Sequence, residues 1–294
     1  MIRKKSIATC LVILFLIIAW LPGCSPLKKI TNEENKTVWE QQALTQHFQK
    51  SLIETDNFIF TSFQKIKTLN EPIIIYIEGD GRAWITRTKL STDPTPINPL
   101  ALKLAFLDPS TNVAYLARPC QFTPLHLNKG CNPSVWSDLR FSESVIHSMN
   151  QAIDVIKMNA KAKQIHLVGF SGGGAVAVLI AARRKDVASL RTVAGDLDPR
   201  RLSQYHKTTP LTGSLNPSTV IPKITQLPQV HFTGEKDKVV PPFISEEFVR
   251  EVNKLGSNCA KSIIVKNANH HNGWEEEWRN LLNIPVNCEH AKSF

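Results

Sequence analysis

The sequence predicts an α/β fold with a mostly parallel central sheet and helices on both of its faces. Short, continuously apolar runs alternate with longer stretches of helical periodicity along most of the 294-residue chain. Such runs are typical of strands buried on both faces, which occur in parallel sheets covered by helices. The composition, with 42% hydrophobic and 20% charged residues, is that of a globular protein and excludes disorder, collagen and a coiled coil.

The individual elements follow from the apolar runs in chain order. Seven short runs bounded by turn residues are predicted to be strands: 58–63, 72–77, 113–118, 164–168, 190–194, 229–232 and 261–265. Four longer stretches are predicted to be helices: 142–158, 173–184, 244–255 and 273–282. Two proline-rich segments, 82–111 and 197–227, are long for loops in a packed domain, and such loops are usually functional. We expect them to form pocket walls or a small cap.

The amino terminus has the layout of an export signal. A basic start at 3–5 precedes an uncharged, mostly apolar run at 7–21, which is shorter than the roughly 20 residues that a membrane-spanning helix needs. The run ends in Leu21-Pro22-Gly23-Cys24, which resembles the lipobox of bacterial lipoproteins. This resemblance implies cleavage before Cys24 and acylation of that cysteine. An uncleaved membrane anchor is the alternative interpretation.

The chain is therefore predicted to have three parts. Residues 1–23 are a lipoprotein signal peptide, residues 24–57 are a polar, lipid-anchored tether, and residues 58–294 are one folded domain. By resemblance to lipoprotein sorting, Ser25 after the cysteine favours the outer membrane of a bacterial cell envelope. Removal of the signal lowers the formal net charge from +10 to +7. Because the sequence has no dense basic block with interleaved aromatic residues, no nucleic-acid partner is expected.

Four cysteines remain downstream of the lipobox: Cys120, Cys131, Cys259 and Cys288. An even number in an oxidising compartment predicts two disulfides. We favour Cys120 with Cys131 and Cys259 with Cys288, because each pair closes a loop within one part of the chain. A zinc site is the competing interpretation, but no CxxC motif and no suitably spaced histidine accompanies either pair.

The sharpest local motif is G-x-S-x-G, in Gly169-Phe170-Ser171-Gly172-Gly173, between an apolar strand and an apolar helix. A serine nucleophile on a sharp strand-to-helix turn requires small residues two positions before and after it. The motif alone is weakly specific, since small-residue turns join strands and helices in many α/β proteins. It predicts a nucleophile only if an acid and a histidine follow it in that order.

Both residue types follow, each after a later predicted strand. Asp237 lies in the turn after strand 229–232, and His270 and His271 lie in the loop after strand 261–265. Asp196 and Asp198, which follow strand 190–194, are competing acids. A serine, an acid and a histidine at three strand ends form a much more specific pattern than the serine motif alone.

These motifs and their order resemble the α/β-hydrolase superfamily of serine hydrolases over most of the chain after the signal. The resemblance implies that Asp237, in a G-x-x-D-x-x-V-P pattern, is the acid. It also implies that His270, rather than His271, is the base, although asparagines stand at positions 267 and 269 where the family commonly has glycine.

The same resemblance implies an oxyanion hole formed by backbone N–H groups. One donor is Gly172, and the other is Asp80 or Gly81 in the turn after strand 72–77, where Glu78 replaces the family's usual histidine. The Asp80 carboxylate could instead bind a polar group of the substrate or an arginine. Trp84 and Trp274 border this region and are candidates for an acyl pocket or for the core.

The resemblance implies a serine hydrolase that cleaves carboxylic esters of small molecules or lipids through an acyl-enzyme, without a cofactor or a metal. Amides and thioesters are less favoured substrates, and peptidase or acyltransferase activity is less favoured than ester hydrolysis. The alternative is a non-catalytic envelope lipoprotein that uses the fold to bind a ligand or partner. A binding module would have no need of the complete serine, acid and histidine set.

Overall fold

The computed structural model describes residues 31–288, and the backbone of this range is organised around an eight-stranded sheet. The strands are β1 Gln49–Glu54, β2 Ile59–Ile66, β3 Ile73–Ile77, β4 Asn112–Leu116, β5 Ile165–Phe170, β6 Val187–Val193, β7 Gln229–Gly234 and β8 Ala260–Val265. Their order across the sheet is β1-β2-β4-β3-β5-β6-β7-β8. The pairs β1/β2 and β2/β4 are antiparallel, and the other pairs are parallel.

The helices within the described range connect these strands. They are α1 Asn32–Thr45, α2 Leu100–Leu107, α3 Glu143–Ala160, α4 Gly172–Ala181, α5 Pro199–His206, α6 Phe243–Lys254 and α7 Trp278–Leu282. Short 3₁₀ helices span Leu125–Leu127, Pro133–Trp136 and Pro217–Lys223. None of the helices in residues 31–288 combines the length and the apolar character needed to cross a membrane.

Apolar side chains fill both faces of the sheet. Alternate residues of a strand point to opposite faces, and β3 shows this directly. Ile73, Ile75 and Ile77 belong to a hydrophobic cluster with α3, α4 and α6, whereas Tyr76 belongs to a second cluster with α2 and α7. The predicted fold class, a mostly parallel sheet with helices on both faces, is therefore confirmed, and each of the seven predicted strands is present.

The structure differs from the predicted boundary between tether and domain. Residues 32–54, which fall within the predicted tether at 24–57, form α1 and β1. The sequence gives little sign of them because α1 buries only Lys36 and Ala43, and β1 buries only Ile53. β1 is an edge strand held by its pairing with β2, so backbone hydrogen bonds stabilise it more than apolar burial does. The predicted signal at 1–23 and Cys24 lie outside the described residues.

The last predicted helix, 273–282, is wrong for its first half, since helical structure begins only at Trp278. Gly273 adopts a left-handed conformation with φ +87°, and the Trp274 indole N–H donates to the Asn269 carbonyl oxygen at 2.8 Å. These two features hold residues 269–274 in a compact turn. Trp274 is fully buried and belongs to the core rather than to a pocket.

The two long proline-rich segments contain short helices. α2 lies in the first segment and packs on β3 and β4, and the 3₁₀ helix Pro217–Lys223 lies in the second and packs on α4 and α6. Within residues 31–288, neither segment forms a separate cap. The disulfides Cys120–Cys131 and Cys259–Cys288 are present in the pairing favoured from the sequence.

Candidate active site

Ser171 occupies the sharp turn between β5 and α4. Its backbone lies at φ 51° and ψ −121°, a conformation that costs a non-glycine residue about 1–3 kcal/mol. The flanking glycines allow the close approach: a Cβ on Gly169 would lie 2.3 Å from the Gly173 carbonyl oxygen, and a Cβ on Gly173 would lie 2.3 Å from the Ile77 carbonyl oxygen. The turn therefore presents the serine at the carboxyl edge of the parallel strands.

A chain of two hydrogen bonds links Ser171 to the residues predicted as base and acid. The Ser171 Oγ lies 3.0 Å from His270 Nε2, and His270 Nδ1 lies 2.8 Å from Asp237 Oδ2. The other carboxylate oxygen, Asp237 Oδ1, accepts the backbone N–H groups of Val239 and Val240 at 2.8 and 2.9 Å. Because Asp237 and His270 are both buried, these bonds fix the orientation of the imidazole.

The competing acids have other roles. Asp198 is the N-cap of α5, where its Oδ1 accepts the Arg201 backbone N–H at 3.0 Å. Asp196 donates its backbone N–H to the Ser171 carbonyl oxygen at 3.0 Å, and its carboxylate is buried near Arg140. The structure thus brings Asp237, and not Asp196 or Asp198, to the histidine.

His271 lies beside His270 without joining this chain of hydrogen bonds. The centroids of the two imidazole rings are 4.8 Å apart, and both rings lie close to the Phe170 ring. His271 lines the cleft described below. It is therefore placed to contact a bound molecule, whereas His270 is placed to exchange a proton with Ser171.

The predicted oxyanion donors belong to two segments that meet at the serine turn. Gly172 is the first residue of α4, so its N–H has no acceptor within that helix. Asp80 follows β3, and the preceding residue, Gly79, donates its N–H to Glu78 Oε1 at 2.9 Å. Glu78, which stands where a histidine was expected, thus occupies the Gly79 N–H and leaves the next peptide as the candidate donor.

The Asp80 carboxylate binds two arginines. Its Oδ1 lies 3.2 Å from Arg118 Nη1, and its Oδ2 lies 3.1 Å from Arg140 Nε. Arg118 in turn donates through Nη2 to the Arg140 carbonyl oxygen. A Cβ on Gly172 would lie only 2.0 Å from Asp80 Oδ1, so the carboxylate sits directly at the positive end of the α4 dipole. Of the two predicted roles for this carboxylate, the structure shows the arginine contact.

Sequence reasoning did not single out Arg118 and Arg140. A charged residue at the end of a predicted buried strand was a usable signal for Arg118, which is almost fully buried after β4. No comparable signal marks Arg140, because it lies in the irregular segment between the 3₁₀ helix Pro133–Trp136 and α3. Burial lowers the pKa of the Arg118 guanidinium, and the neighbouring Asp80 opposes that effect.

A cleft of about 570 Å³ opens beside Ser171 and His270. Its apolar lining consists of Ala83, Trp84, Pro96, Ile97, Phe170 and Val239. Its polar lining includes Asp80, Arg82, Asn98 and Arg140. The first proline-rich segment therefore contributes to the pocket wall, as predicted, whereas the second segment contributes none of the cleft's lining residues. Among residues 31–288, no group of three or more His, Cys, Asp or Glu side chains is arranged to hold a metal ion.

A comparison with protein families decides the classification. The family described as serine hydrolase (FSH1) matches residues 86–272, which is more than half of the chain. The chain belongs to the FSH1 serine hydrolase family. It is a serine hydrolase with the α/β-hydrolase fold, as the sequence motifs implied. The matched range includes Ser171, Asp237 and His270 but not the turn at Glu78 to Gly81.

Solved structures resemble this FSH1-family chain in fold. An esterase of Pyrococcus furiosus is 18% identical with a TM-score of 0.56, covering 81% of this chain and 90% of its own. Est1E from Butyrivibrio proteoclasticus is 14% identical with a TM-score of 0.54, covering 79% and 97%. The acylaminoacyl peptidase of Pyrococcus horikoshii is 12% identical with a TM-score of 0.56, and the match covers 84% of this chain but only 43% of the peptidase. No curated protein sequence matches significantly.

The buried Glu78 gives this FSH1-family hydrolase a testable pH dependence of stability. Burial raises the pKa of its carboxyl group from 4.5 to about 7, so between these pH values the folded protein retains a proton that the unfolded chain loses. Stability therefore falls as the pH rises through this window, by up to about 3 kcal/mol. We expect Glu78→Gln, which retains an acceptor for Gly79, to raise the free energy of unfolding at pH 8 but not at pH 4.

Urea denaturation at both pH values, with the disulfides intact, measures this difference. The exposed Glu71, substituted as Glu71→Gln, is the matched control and should change stability little at either pH. An effect of Glu78→Gln that is equal at pH 4 and pH 8 would contradict the assignment of the titration to Glu78.

Proposed function

We propose that this serine hydrolase cleaves carboxylic esters, with Ser171 as nucleophile, His270 as general base and acid, and Asp237 as the residue that orients the imidazole. The observation that carries the proposal is the continuous hydrogen-bonded chain of 3.0 and 2.8 Å from Ser171 through His270 to Asp237. The bond from His270 Nδ1 to a buried carboxylate favours the tautomer whose Nε2 can accept the serine proton.

The reaction then proceeds in two halves. Ser171 Oγ attacks the ester carbonyl carbon while His270 Nε2 takes the hydroxyl proton, and the alcohol leaves after His270 returns that proton to its oxygen. In the second half, His270 takes a proton from a water molecule that attacks the acyl carbon, and it returns that proton to Ser171 Oγ as the bond to the acyl group breaks and the carboxylic acid leaves. The backbone N–H groups of Gly172 and Asp80 are the proposed donors to the oxyanion in both halves, where one lost donor commonly costs about 10²-fold or more in rate.

Asp80 and its two arginines support the proposed oxyanion hole by holding the backbone. The ion pairs with Arg118 and Arg140 restrain the Asp80 side chain, whose Oδ1 lies so close to Gly172 that a Cβ there would be 2.0 Å from it. Preorganised donors need no rearrangement as charge develops on the substrate oxygen. Arg118 is thus proposed to act through Asp80, whereas Arg140 both pairs with Asp80 and lines the cleft that a substrate would occupy.

Ester substrates are favoured over amides by two observations. The cleft has an apolar lining suited to an acyl chain, and the neighbour from Pyrococcus furiosus is named as an esterase. The decisive measurement is kcat/KM for p-nitrophenyl esters from acetate to dodecanoate beside the matched p-nitroanilides. We expect turnover of esters to exceed that of anilides at every chain length. Absence of turnover for every ester would contradict the proposal and favour a binding function instead.

The choice of acid can be tested by a matched pair of substitutions. We expect Asp237→Asn to lower kcat by about 10⁴-fold, because an amide at this position no longer stabilises the imidazolium and favours the wrong tautomer. Asp198→Asn should leave kcat nearly unchanged, since Asp198 caps α5. Steady-state kinetics on one ester measures both variants. The reverse ranking of the two variants would transfer the role of acid to Asp198.

We further propose that the enzyme is a lipoprotein of the bacterial cell envelope, acylated at Cys24 and held at the outer membrane. The lipobox-like sequence supports this location, and the disulfides suit an oxidising compartment. We expect Cys24→Ser to prevent processing, so that precursor of unchanged length accumulates and labelled palmitate is not incorporated. Mass spectrometry of the protein recovered from membranes checks both results, and normal processing of the variant would contradict the assignment.

A further inference from the structure

A short hairpin projects beside the cleft, and we call residues 83–91 the finger. Its two arms are joined by backbone hydrogen bonds from Ile85 N–H to the Lys89 carbonyl oxygen at 2.8 Å and from Ser91 N–H to the Ala83 carbonyl oxygen at 2.9 Å. Trp84 and Leu90 form an isolated antiparallel bridge. These contacts close residues 83–91 into a hairpin whose tip is formed by residues 86–88.

Large apolar side chains of the finger face solvent. Trp84 is 46% exposed and Ile85 is 44% exposed. Two further apolar residues of the cleft lining, Ile97 and Val239, are 61% and 48% exposed. Because Trp84, Ile97 and Val239 all line the same cleft, their exposed parts surround its mouth. A cluster of exposed apolar side chains around an opening marks an interaction surface rather than scattered surface residues.

Basic side chains accompany these apolar residues. The finger and the residue preceding it carry Arg82, Arg87 and Lys89, and no acidic residue occurs from Gly81 to Thr92. On the Val239 side of the mouth, the adjacent Lys238 is exposed. Exposed tryptophan and aliphatic side chains beside lysine and arginine are the combination that enters the boundary between headgroups and acyl chains. The basic side chains complement the negative charge of anionic lipid phosphates.

The amino-terminal end of the described range lies at this same mouth. Asn35 and Trp39 of α1 donate from their side chains to the carbonyl oxygens of Pro96 and Ile97, each at 3.0 Å. Arg82 Nη1 contacts Asn32 Oδ1 at 3.5 Å. Eight peptide steps separate Asn32 from Cys24, a reach of at most about 30 Å. A lipid on Cys24 would therefore hold the mouth, rather than the opposite side of the domain, close to a bilayer.

We infer that the mouth of the cleft docks on a bilayer surface that contains anionic phospholipid. Trp84 and Ile85 enter the headgroup region, while Arg87 and Lys89 contact the phosphates. This contact goes beyond the proposed ester hydrolysis, which requires no membrane. Docking would place the opening to Ser171 against the lipid, where an ester with an apolar chain can enter without crossing water.

Flotation with vesicles tests the inference without turnover. The chain beginning at Ser25 is suitable, because both hydrophobic clusters consist of residues between 39 and 286, and it lacks the apolar run at 7–21. We expect it to bind vesicles of phosphatidylglycerol and phosphatidylcholine, but not vesicles of phosphatidylcholine alone, and binding to weaken as salt increases. The Ser171→Ala variant should float like wild type, so failure of the hydrolase proposal and failure of docking are distinguishable.

Matched variants locate the contact. Arg87→Gln with Lys89→Gln should weaken partitioning about 30-fold, since each basic side chain near an anionic surface contributes about a factor of five. Ile85→Asp should weaken it about tenfold or more. The controls are Lys161→Gln with Lys163→Gln, and Leu255→Asp; they change exposed residues that do not line the cleft and should leave partitioning unchanged. Trp84 emission should shift to the blue on binding, and Trp84→Phe should remove the shift.

Three results would overturn the inference. The first is equal binding to neutral and anionic vesicles. The second is unchanged partitioning of both finger variants, or equal losses in the finger and control variants. The third is a concentration-dependent dimer in sedimentation that Ile85→Asp abolishes, with no vesicle binding by wild type, which would assign the surface to a second copy of the chain.

Discussion

Replacing Ser171 with alanine is expected to lower kcat for ester hydrolysis by about 10⁵–10⁶-fold and to leave the fold intact. The hydroxyl is the proposed nucleophile, and its hydrogen bond is to His270 rather than to a structural partner. Water could still be activated by His270, but the covalent route would be lost. Steady-state kinetics of the purified variant measures the loss of kcat, and thermal unfolding shows whether the fold is intact.

Labelling with a fluorophosphonate separates loss of the nucleophile from loss of the fold. Each wild-type molecule should react with one fluorophosphonate, whereas Ser171→Ala should not be labelled. The exposed Ser144 on α3, changed as Ser144→Ala, is the matched control and should label like wild type. If Ser171→Ala labelled as fast as wild type, another residue would be the nucleophile and the proposed triad would be wrong.

The adjacent histidines provide the second large effect. We expect His270→Ala to lower kcat by about 10⁵-fold or more, because the variant lacks the group that takes and returns the serine proton. His271→Ala should change kcat by less than about tenfold, with its main effect on KM, since His271 lines the cleft outside the hydrogen-bonded chain. The centroids of the His270 and His271 rings are only 4.8 Å apart. A large difference in kcat between the two variants would therefore arise from the hydrogen bond to Ser171 rather than from a difference in distance to the cleft.

Kinetics on a short and a long ester are sufficient to rank these variants, and thermal unfolding shows whether each one is folded. An inactive His271→Ala beside an active His270→Ala would reassign the base. If both variants were inactive and folded, His271 would also have to take part in proton transfer.

The sheet could be predicted because its central strands carry a strong physical signal. Strands buried on both faces favour apolar residues, and β3 and β4 consist almost entirely of them, whereas β6, β7 and β8 also contain polar residues such as Arg191, His231 and Lys261. The candidate triad followed from the same signal: Ser171, Asp237 and His270 come directly after predicted parallel strands, whose carboxyl ends share one edge.

The features that sequence reasoning missed depend on contacts between distant parts of the chain. α1 is a polar helix whose buried Lys36 pairs with Asp93 at 2.8 Å, and nothing near either residue in the sequence indicates that contact. The ion pairs of Asp80 with Arg118 and Arg140 likewise join three separate segments. Local periodicity records which face of an element is apolar, but it does not record which charged residues will meet.

Backbone hydrogen bonds hold Ser171 to the sheet, whereas the cleft beside it is formed largely by one loop. The Ser171 N–H donates to the Val193 carbonyl oxygen, and its own carbonyl oxygen accepts the N–H groups of Gly174 and Asp196. The proposed nucleophile is thus tied to the sheet, whereas residues 81–98 supply seven of the fifteen residues that line the cleft. Insertions or substitutions in that one loop can therefore change the shape of the substrate cleft while the position of Ser171 in the sheet is retained.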